Sequence, residues 1–167
     1  MRHLSLSEIK TLIVSITVTI PTLAVNARDY SSWMSELPDE AYITTLSIPG
    51  THDSATGNGF AGSAASLWDM FSKTQDHTVE QQMEMGVRAF DFRPGNQDGR
   101  LRCYHGMSEI AYWFDDAVRD ICKFLDAHPD EFFFIHLYKA TDDLNKGVTD
   151  LLLSLIHISE PTRQAEI

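Results

Sequence analysis

Short alternating runs and longer stretches of helical spacing divide this chain. In residues 43–48, Tyr42, Thr44 and Leu46 alternate with Ile43 and Thr45, which predicts a strand. Pro49-Gly50 ends it, because proline withholds an amide and glycine permits unusual backbone angles. Before it, residues 29–40 read as a short helix, with Trp33, Met34 and Leu37, stopped by Pro38. After a glycine-containing loop, residues 64–71 predict a short helix presenting Leu67, Trp68 and Phe71. Residues 78–86 predict a second helix, with Val79, Gln82 and Met83 on one side and Gly86 as its stop. In residues 87–92, Val87, Ala89 and Asp91 lie opposite Arg88, Phe90 and Phe92, as a strand would place them. Asp98-Gly99 is a hairpin-like turn, and residues 101–105 form the next expected strand. Residues 108–128 contain a long amphipathic helix, in which Ala117, Ile121, Phe124 and Leu125 recur at helical spacing, with its end punctuated by Pro129. The run FFFIHLY, residues 132–138, reads as a fully buried strand of a parallel sheet. The order strand, helix, strand, strand, helix, strand fits an α/β barrel or an open sheet.

The two ends read differently from the middle. Arg2 and Lys10 flank an n-region, residues 12–25 are apolar apart from Ser, Thr and Pro21, and Val25-Asn26-Ala27 offers small residues before a cut. This composition reads as a signal peptide over residues 1–27, with export to the periplasm or the exterior; the alternative is a buried β-branched strand over 11–20. At the other end, residues 153–163 read LSLIHISEPTR, which matches the translation of a transposase-type sequencing adapter. The expectation is that residues 153–167 are adapter-derived, that the parent protein continues beyond about Leu152, and that His157 and Glu160 stand outside any site. The alternative is a genuine amphipathic helix.

Composition narrows the function. The 167 residues are 43% hydrophobic, enough for a core, and one domain is the default. A net charge of -11 argues against nucleic acid as a partner. An anionic substrate stays open, because a few convergent cations in a cleft outweigh distant charge screened by salt. The two cysteines, Cys103 and Cys122, fall on a strand and on the apolar face of a helix, so both are expected to be free, buried thiols.

Polar groups recur at the expected strand ends: His52 with Asp53, Asp91 with Arg93, His105, and Lys139. On parallel strands such residues converge on one rim of a barrel. Two histidines and an arginine suit phosphoryl transfer. One neutral imidazole takes a proton from a nucleophilic hydroxyl, and a second, protonated one gives a proton to the leaving oxygen. The guanidinium holds the phosphate and stabilises its developing charge. The bland reading of His52 is a polar turn. His77 reads as solvated in a loop, His128 sits near a helix C-terminus, and His136 reads as a satisfied core histidine.

The segments SIPGTHDSATG, QQMEMGVRAFDFR, LRCYHG and HPDEFFFIHLYK, in this order and spacing, resemble the X-type catalytic region of bacterial phosphatidylinositol-specific phospholipase C. The resemblance runs from about Trp33 to Lys139. It implies the N-terminal half of a distorted (β/α)8 TIM barrel over residues 28–152. It also implies metal-free cleavage, with no cofactor, of phosphatidylinositol or a GPI-type lipid at a membrane surface, to diacylglycerol and a cyclic inositol phosphate. His52 falls at the general base, His105 at the general acid, Asp53 at the acid's carboxylate partner and Arg93 at the phosphate-binding arginine, with Asp91 in support. The carboxylate partner of His52 is then expected from a part of the family's chain that follows these residues. Lys139 lies near the inositol-contacting lysine, although Tyr138 blurs the register. Trp68 matches a tryptophan of the lipid-facing rim, against a core-packing alternative. A monomer is expected, and activity is expected of the full-length parent, not of these residues alone. The alternatives are a phosphodiesterase for another glycerophospho headgroup and a non-catalytic lipid-headgroup-binding module.

Overall fold

The computed structural model describes residues 29–138 and 147–159. The expected signal peptide, Lys139 and the last residues of the adapter-like tail lie outside them, as does the side chain of Trp68. Six strands and four α-helices are described. The strands are β1 (Gly50–Thr51), β2 (Ala89–Phe92), β3 (Pro94–Gln97), β4 (Arg100–His105), β5 (Ser108–Trp113) and β6 (Phe134–Leu137). The helices are α1 (Ala65–Ser72), α2 (Val79–Glu84), α3 (Phe114–Ala127) and α4 (Val148–Ser159).

β1, β2 and β6 form a parallel sheet in the order β1-β2-β6, with helical crossovers between its strands. β3, β4 and β5 form a separate antiparallel sheet. The sequence expectations hold for α1, α2, β2 and α3; β4 and β6 form as strands where expected but in other settings, and residues 43–48 depart from expectation. Residues 43–48 do not form a strand: Thr45 and Leu46 donate back to the carbonyls of Tyr42 and Ile43, closing a 3-10 turn over Ile43–Thr45. Tyr42 and Ile43 are exposed, so the alternation there has no sheet face to serve. Parallel pairing begins later, where Gly50 lies beside Ala89. The long helix expected within 108–128 runs over Phe114–Ala127, and the six residues before it form β5, a strand the sequence reading did not separate, whose Ser108, Ile110 and Tyr112 are buried in alternation. β4 is an antiparallel strand of the second sheet, not a member of the parallel set. β6 is parallel as expected but not buried: Phe134, Ile135 and Leu137 are all exposed at the edge of the described sheet.

Local chemistry explains the elements that form. Thr78 caps α2 by accepting from the Gln81 amide, and the Gln81 side chain accepts from the Thr78 amide, a reciprocal capping box. Val79 and Met83, four residues apart, are buried on its inner face. The β3–β4 hairpin turns on Asp98 (φ 53°) and Gly99 (φ 85°), the two positive φ angles that an Asp-Gly loop supplies. α3 buries Phe114, Ala117, Ile121 and Phe124 against both sheets. Cys103 is free and buried, and burial pushes its thiol well above the usual range, so it behaves as a small apolar group. Cys122 is also free but exposed, a correction to the expectation that both are buried: the inner stripe of α3 passes through Ile121 and Phe124 instead. α4 continues through residues 153–159, and Leu151, Leu152 and Leu155 pack on the core.

β2 has two sharply different faces. Phe90 and Phe92 point into an aromatic cluster with Phe114, Phe124 and Phe133. Arg88, just before β2, follows the same direction and is completely buried. Its guanidinium pairs with Glu131 at 2.6 Å, donates to the carbonyls of Met83, Val87 and Ser31, and lies against the Phe124 and Phe133 rings. Glu131 in turn accepts from the Met34 amide at 2.8 Å. The pair therefore ties the entry segment, the end of α2, β2 and the approach to β6 into one knot. Removing one partner leaves an uncompensated interior charge. Glu131→Ala is expected to lose about 3–5 kcal/mol of unfolding free energy, read from urea titration. A loss under about 1 kcal/mol, the level of an exposed pair, would show that the knot contributes little.

Candidate functional site

The site forms where β1 and β2 end. After Thr51 the chain enters a tight loop: Asp53 takes left-handed backbone angles (φ 46°, ψ 51°), and a 3-10 helix over Ser54–Asn58 follows. Aspartate tolerates this region better than most side chains. Side chains from elsewhere hold the loop. Thr74 Oγ1 and Gln75 Nε2 donate to the His52 carbonyl at 3.0 and 2.8 Å. Buried Gln82, on α2, donates to the carbonyls of Ser54 and His77, and its Oε1 accepts from the Thr51 hydroxyl. Ser54 Oγ accepts from the Asp91 amide at 2.9 Å, joining the loop to β2. Gly57 has no room for a side chain, since a Cβ there would lie 1.8 Å from the His77 carbonyl oxygen.

At the centre is the Asp53 carboxylate, with its side chain 1% exposed. Arg93 Nε lies 2.7 Å from its Oδ1. His105 Nε2 lies 3.2 Å and His52 Nε2 3.1 Å from its Oδ2. The pairing of His105 with Asp53 matches expectation. The sharing of the same carboxylate by His52 and Arg93 was not anticipated. His105 reaches the site from the end of β4, because the Tyr104 amide donates to the Arg93 carbonyl at 3.0 Å and docks the hairpin against the end of β2.

Asp91 stands on the other side of His52. Its Oδ2 lies 2.9 Å from His52 Nδ1 and accepts from the Asp53 amide at 3.3 Å. Its Oδ1 lies 3.2 Å from His136 Nδ1. His52 thus has Asp91 as a carboxylate neighbour among the described residues, and the partner that the resemblance places later in the family's chain lies beyond them. One expectation is corrected: His136 is no core histidine, since its side chain is 69% exposed beside Asp91. A run rich in phenylalanine, isoleucine and leucine hides this polar position, and only the register Asp91 to His136 across β2 and β6 exposes it. Gly50, Thr51, His52, Ala89, Asp91, Arg93, His136 and Tyr138 line an open cleft of about 500 Å³. The Arg93 guanidinium lies 5.3 Å from the centre of the Tyr138 ring, within cation–π reach.

His77 is exposed in its loop as expected, and His128 closes α3 with its ring stacked on Phe124. His52, Asp53 and Asp91 offer donor atoms within 4.8 Å of one another, which is within reach of a cation. The fit is poor, because both Asp53 oxygens already face Arg93, His52 and His105, and hard cations take six or more oxygens.

Burial raises the pKa of Asp91, but hydrogen bonds from the Asp53 amide, His136 and His52, with Arg93 nearby, outweigh it and leave the carboxyl below its ordinary value. A carboxyl depressed in this way contributes stability above its unfolded pKa of about 3.9 and loses that contribution as pH falls through the folded value. The stability difference between the wild type and Asp91→Asn is therefore expected to be fully developed above pH ~5 and to shrink in more acidic solution. Denaturant titrations between neutrality and acid check this, and a difference independent of pH would contradict it.

No family model matches the sequence. Among curated proteins, the 1-phosphatidylinositol phosphodiesterase of Staphylococcus aureus is 32% identical over 147 residues, 83% of this chain and 44% of that protein. The 1-phosphatidylinositol phosphodiesterase of Listeria monocytogenes is 33% identical over 133 residues, 80% of this chain and 40% of that protein. Among solved structures, the S. aureus phosphatidylinositol-specific phospholipase C, described in a study of its membrane binding, superposes with a TM-score of 0.67 at 26% identity, covering 82% of this chain and 45% of that one. The three parallel strands and their crossovers thus follow part of that enzyme's α/β barrel. By sequence and by backbone, the chain is homologous to the bacterial phosphatidylinositol-specific phospholipases C, over a little under half of their length.

Proposed function

We propose that the protein is a phosphodiesterase that cleaves phosphatidylinositol or a GPI-type lipid. The observation that carries this reading is the buried Asp53 carboxylate facing two imidazoles and a guanidinium, of which His52 and Arg93 line one open cleft. In the proposed reaction the inositol 2-hydroxyl attacks phosphorus and gives its proton to His52. The bond from phosphorus to the diacylglycerol oxygen breaks, and His105 supplies the proton that oxygen needs. The products are diacylglycerol and a cyclic inositol phosphate. Neutral His52, with its Nδ1–H donated to Asp91, carries its lone pair on Nε2, the nitrogen on the side of Asp53 and His105. Arg93 neutralises the charge that develops on the phosphoryl oxygens.

A lipid surface suits α1, which exposes Leu67, Met70 and Phe71, the last at 74%. Trp68 on the same helix belongs to this lipid-facing reading, and Lys139 to inositol binding. Export through the N-terminal segment is part of the same proposal. No helix among the described residues is long and apolar enough to cross a membrane.

In the full-length protein, His52→Ala and His105→Ala are each expected to lower kcat on phosphatidylinositol vesicles by about 10²–10⁴, the usual worth of a general acid or base. Near-wild-type turnover in either variant would overturn its role. Because Arg93 supplies the fixed positive charge, turnover is expected to persist in EDTA. Loss of turnover that added calcium restores would instead place a cation at the phosphate.

A further inference from the structure

The side chain of His136 is unused in the proposed reaction, yet it touches a group that is used. Parallel pairing sets Asp91 directly beside His136, with Phe90 beside Ile135 and Phe92 beside Leu137. Directly paired residues of a parallel sheet point to the same face, so the imidazole emerges next to the carboxylate. Asp91 is mostly buried, and its two oxygens have different partners: Oδ1 has His136, while Oδ2 has His52 and the Asp53 amide. A carboxylate held on one oxygen can turn about its last side-chain bond. A second partner on the other oxygen removes that freedom.

We propose that His136 is a positioning residue, which donates its Nδ1–H to Asp91 Oδ1 and so pins the carboxylate that fixes the tautomer and orientation of His52. The mechanical consequence rests on the phosphodiesterase reading, but the coupling from His136 to His52 does not. His52 needs help of this kind, because its side chain is 67% exposed and a carboxylate faces each of its nitrogens, Asp91 at Nδ1 and Asp53 at Nε2. The carboxylate that is held more firmly decides which nitrogen keeps the proton in the neutral ring. The arrangement is a relay of orientation, not of protons, since Asp91 stays ionised throughout. Tyr138, the residue after β6, lies near Arg93, so β6 and its end serve both the base and the phosphate-binding group.

The test is nitrogen NMR of the histidine rings in the full-length protein, with turnover measured alongside on phosphatidylinositol vesicles. Wild type is expected to show both His52 and His136 as Nδ1–H tautomers when neutral. His136→Ala should relax His52 toward the Nε2–H form and lower kcat about 10- to 100-fold, the scale of a misplaced catalytic group, with KM little changed. His136→Asn, whose amide nitrogen can stand in for Nδ1, should restore both. A wild-type His136 without a proton on Nδ1 would overturn the proposal without any variant. So would a His52 tautomer indifferent to His136→Ala, or Ala and Asn variants that behave alike. A wild type that shows the tautomer coupling but no turnover would sink the phosphodiesterase reading and leave the coupling standing.

Discussion

One buried carboxylate organises the site. Asp53 cannot be left unpaired in the interior, where an isolated charge is costly, and its three facing partners come from three parts of the chain. His52 is its neighbour in the loop, Arg93 follows β2, and His105 ends β4. These ion-pair contacts, short but without hydrogen-bond geometry at the Asp53 oxygens, join the parallel sheet, the loop and the antiparallel hairpin. The left-handed backbone at Asp53 is what turns its side chain inward while His52 stays at the surface.

The two faces of β2 separate stability from chemistry. Arg88, Phe90 and Phe92 look into the core, where the buried Arg88–Glu131 pair and the aromatic cluster join the helices to the sheet. Ala89, Asp91 and Arg93 look into the cleft. The same alternation that makes a strand therefore assigns one arginine to structure and another, five residues on, to the site. The parallel strand β6 and the residue after it carry the division onward, placing His136 and Tyr138 on the cleft side.

Much of this was legible in the sequence, and the exceptions have physical causes. The alternation in residues 87–92 correctly separated Ala89 and Asp91 from Phe90 and Phe92, and Asp98-Gly99 marked its hairpin by the backbone angles it needs. His52, Asp53, Arg93 and His105 were singled out by their places at element ends, and the structure brings them together. Residues 43–45 alternate like a strand, but no neighbouring strand pairs with them, and a local turn wins. β5 was not separated from the segment that contains α3, because apolar residues continue smoothly from one into the other. His136 was lost in a run that reads as core, because sequence alone does not show which strand lies beside it. The buried Arg88–Glu131 pair joins residues 43 apart, a separation that no local pattern reports.

The central claim is that the charge of Asp53, and not merely its shape, assembles the two histidines and the arginine for the proposed phosphodiester cleavage. The most direct measurement is turnover of phosphatidylinositol by Asp53→Asn in the full-length protein, with thermal unfolding followed in parallel. The substitution keeps the volume and removes the charge. The predicted result is a cooperative melt with kcat lowered by about 10²–10³, the scale of losing one preorganised electrostatic partner. A variant that folds and turns over at the wild-type rate would contradict the account.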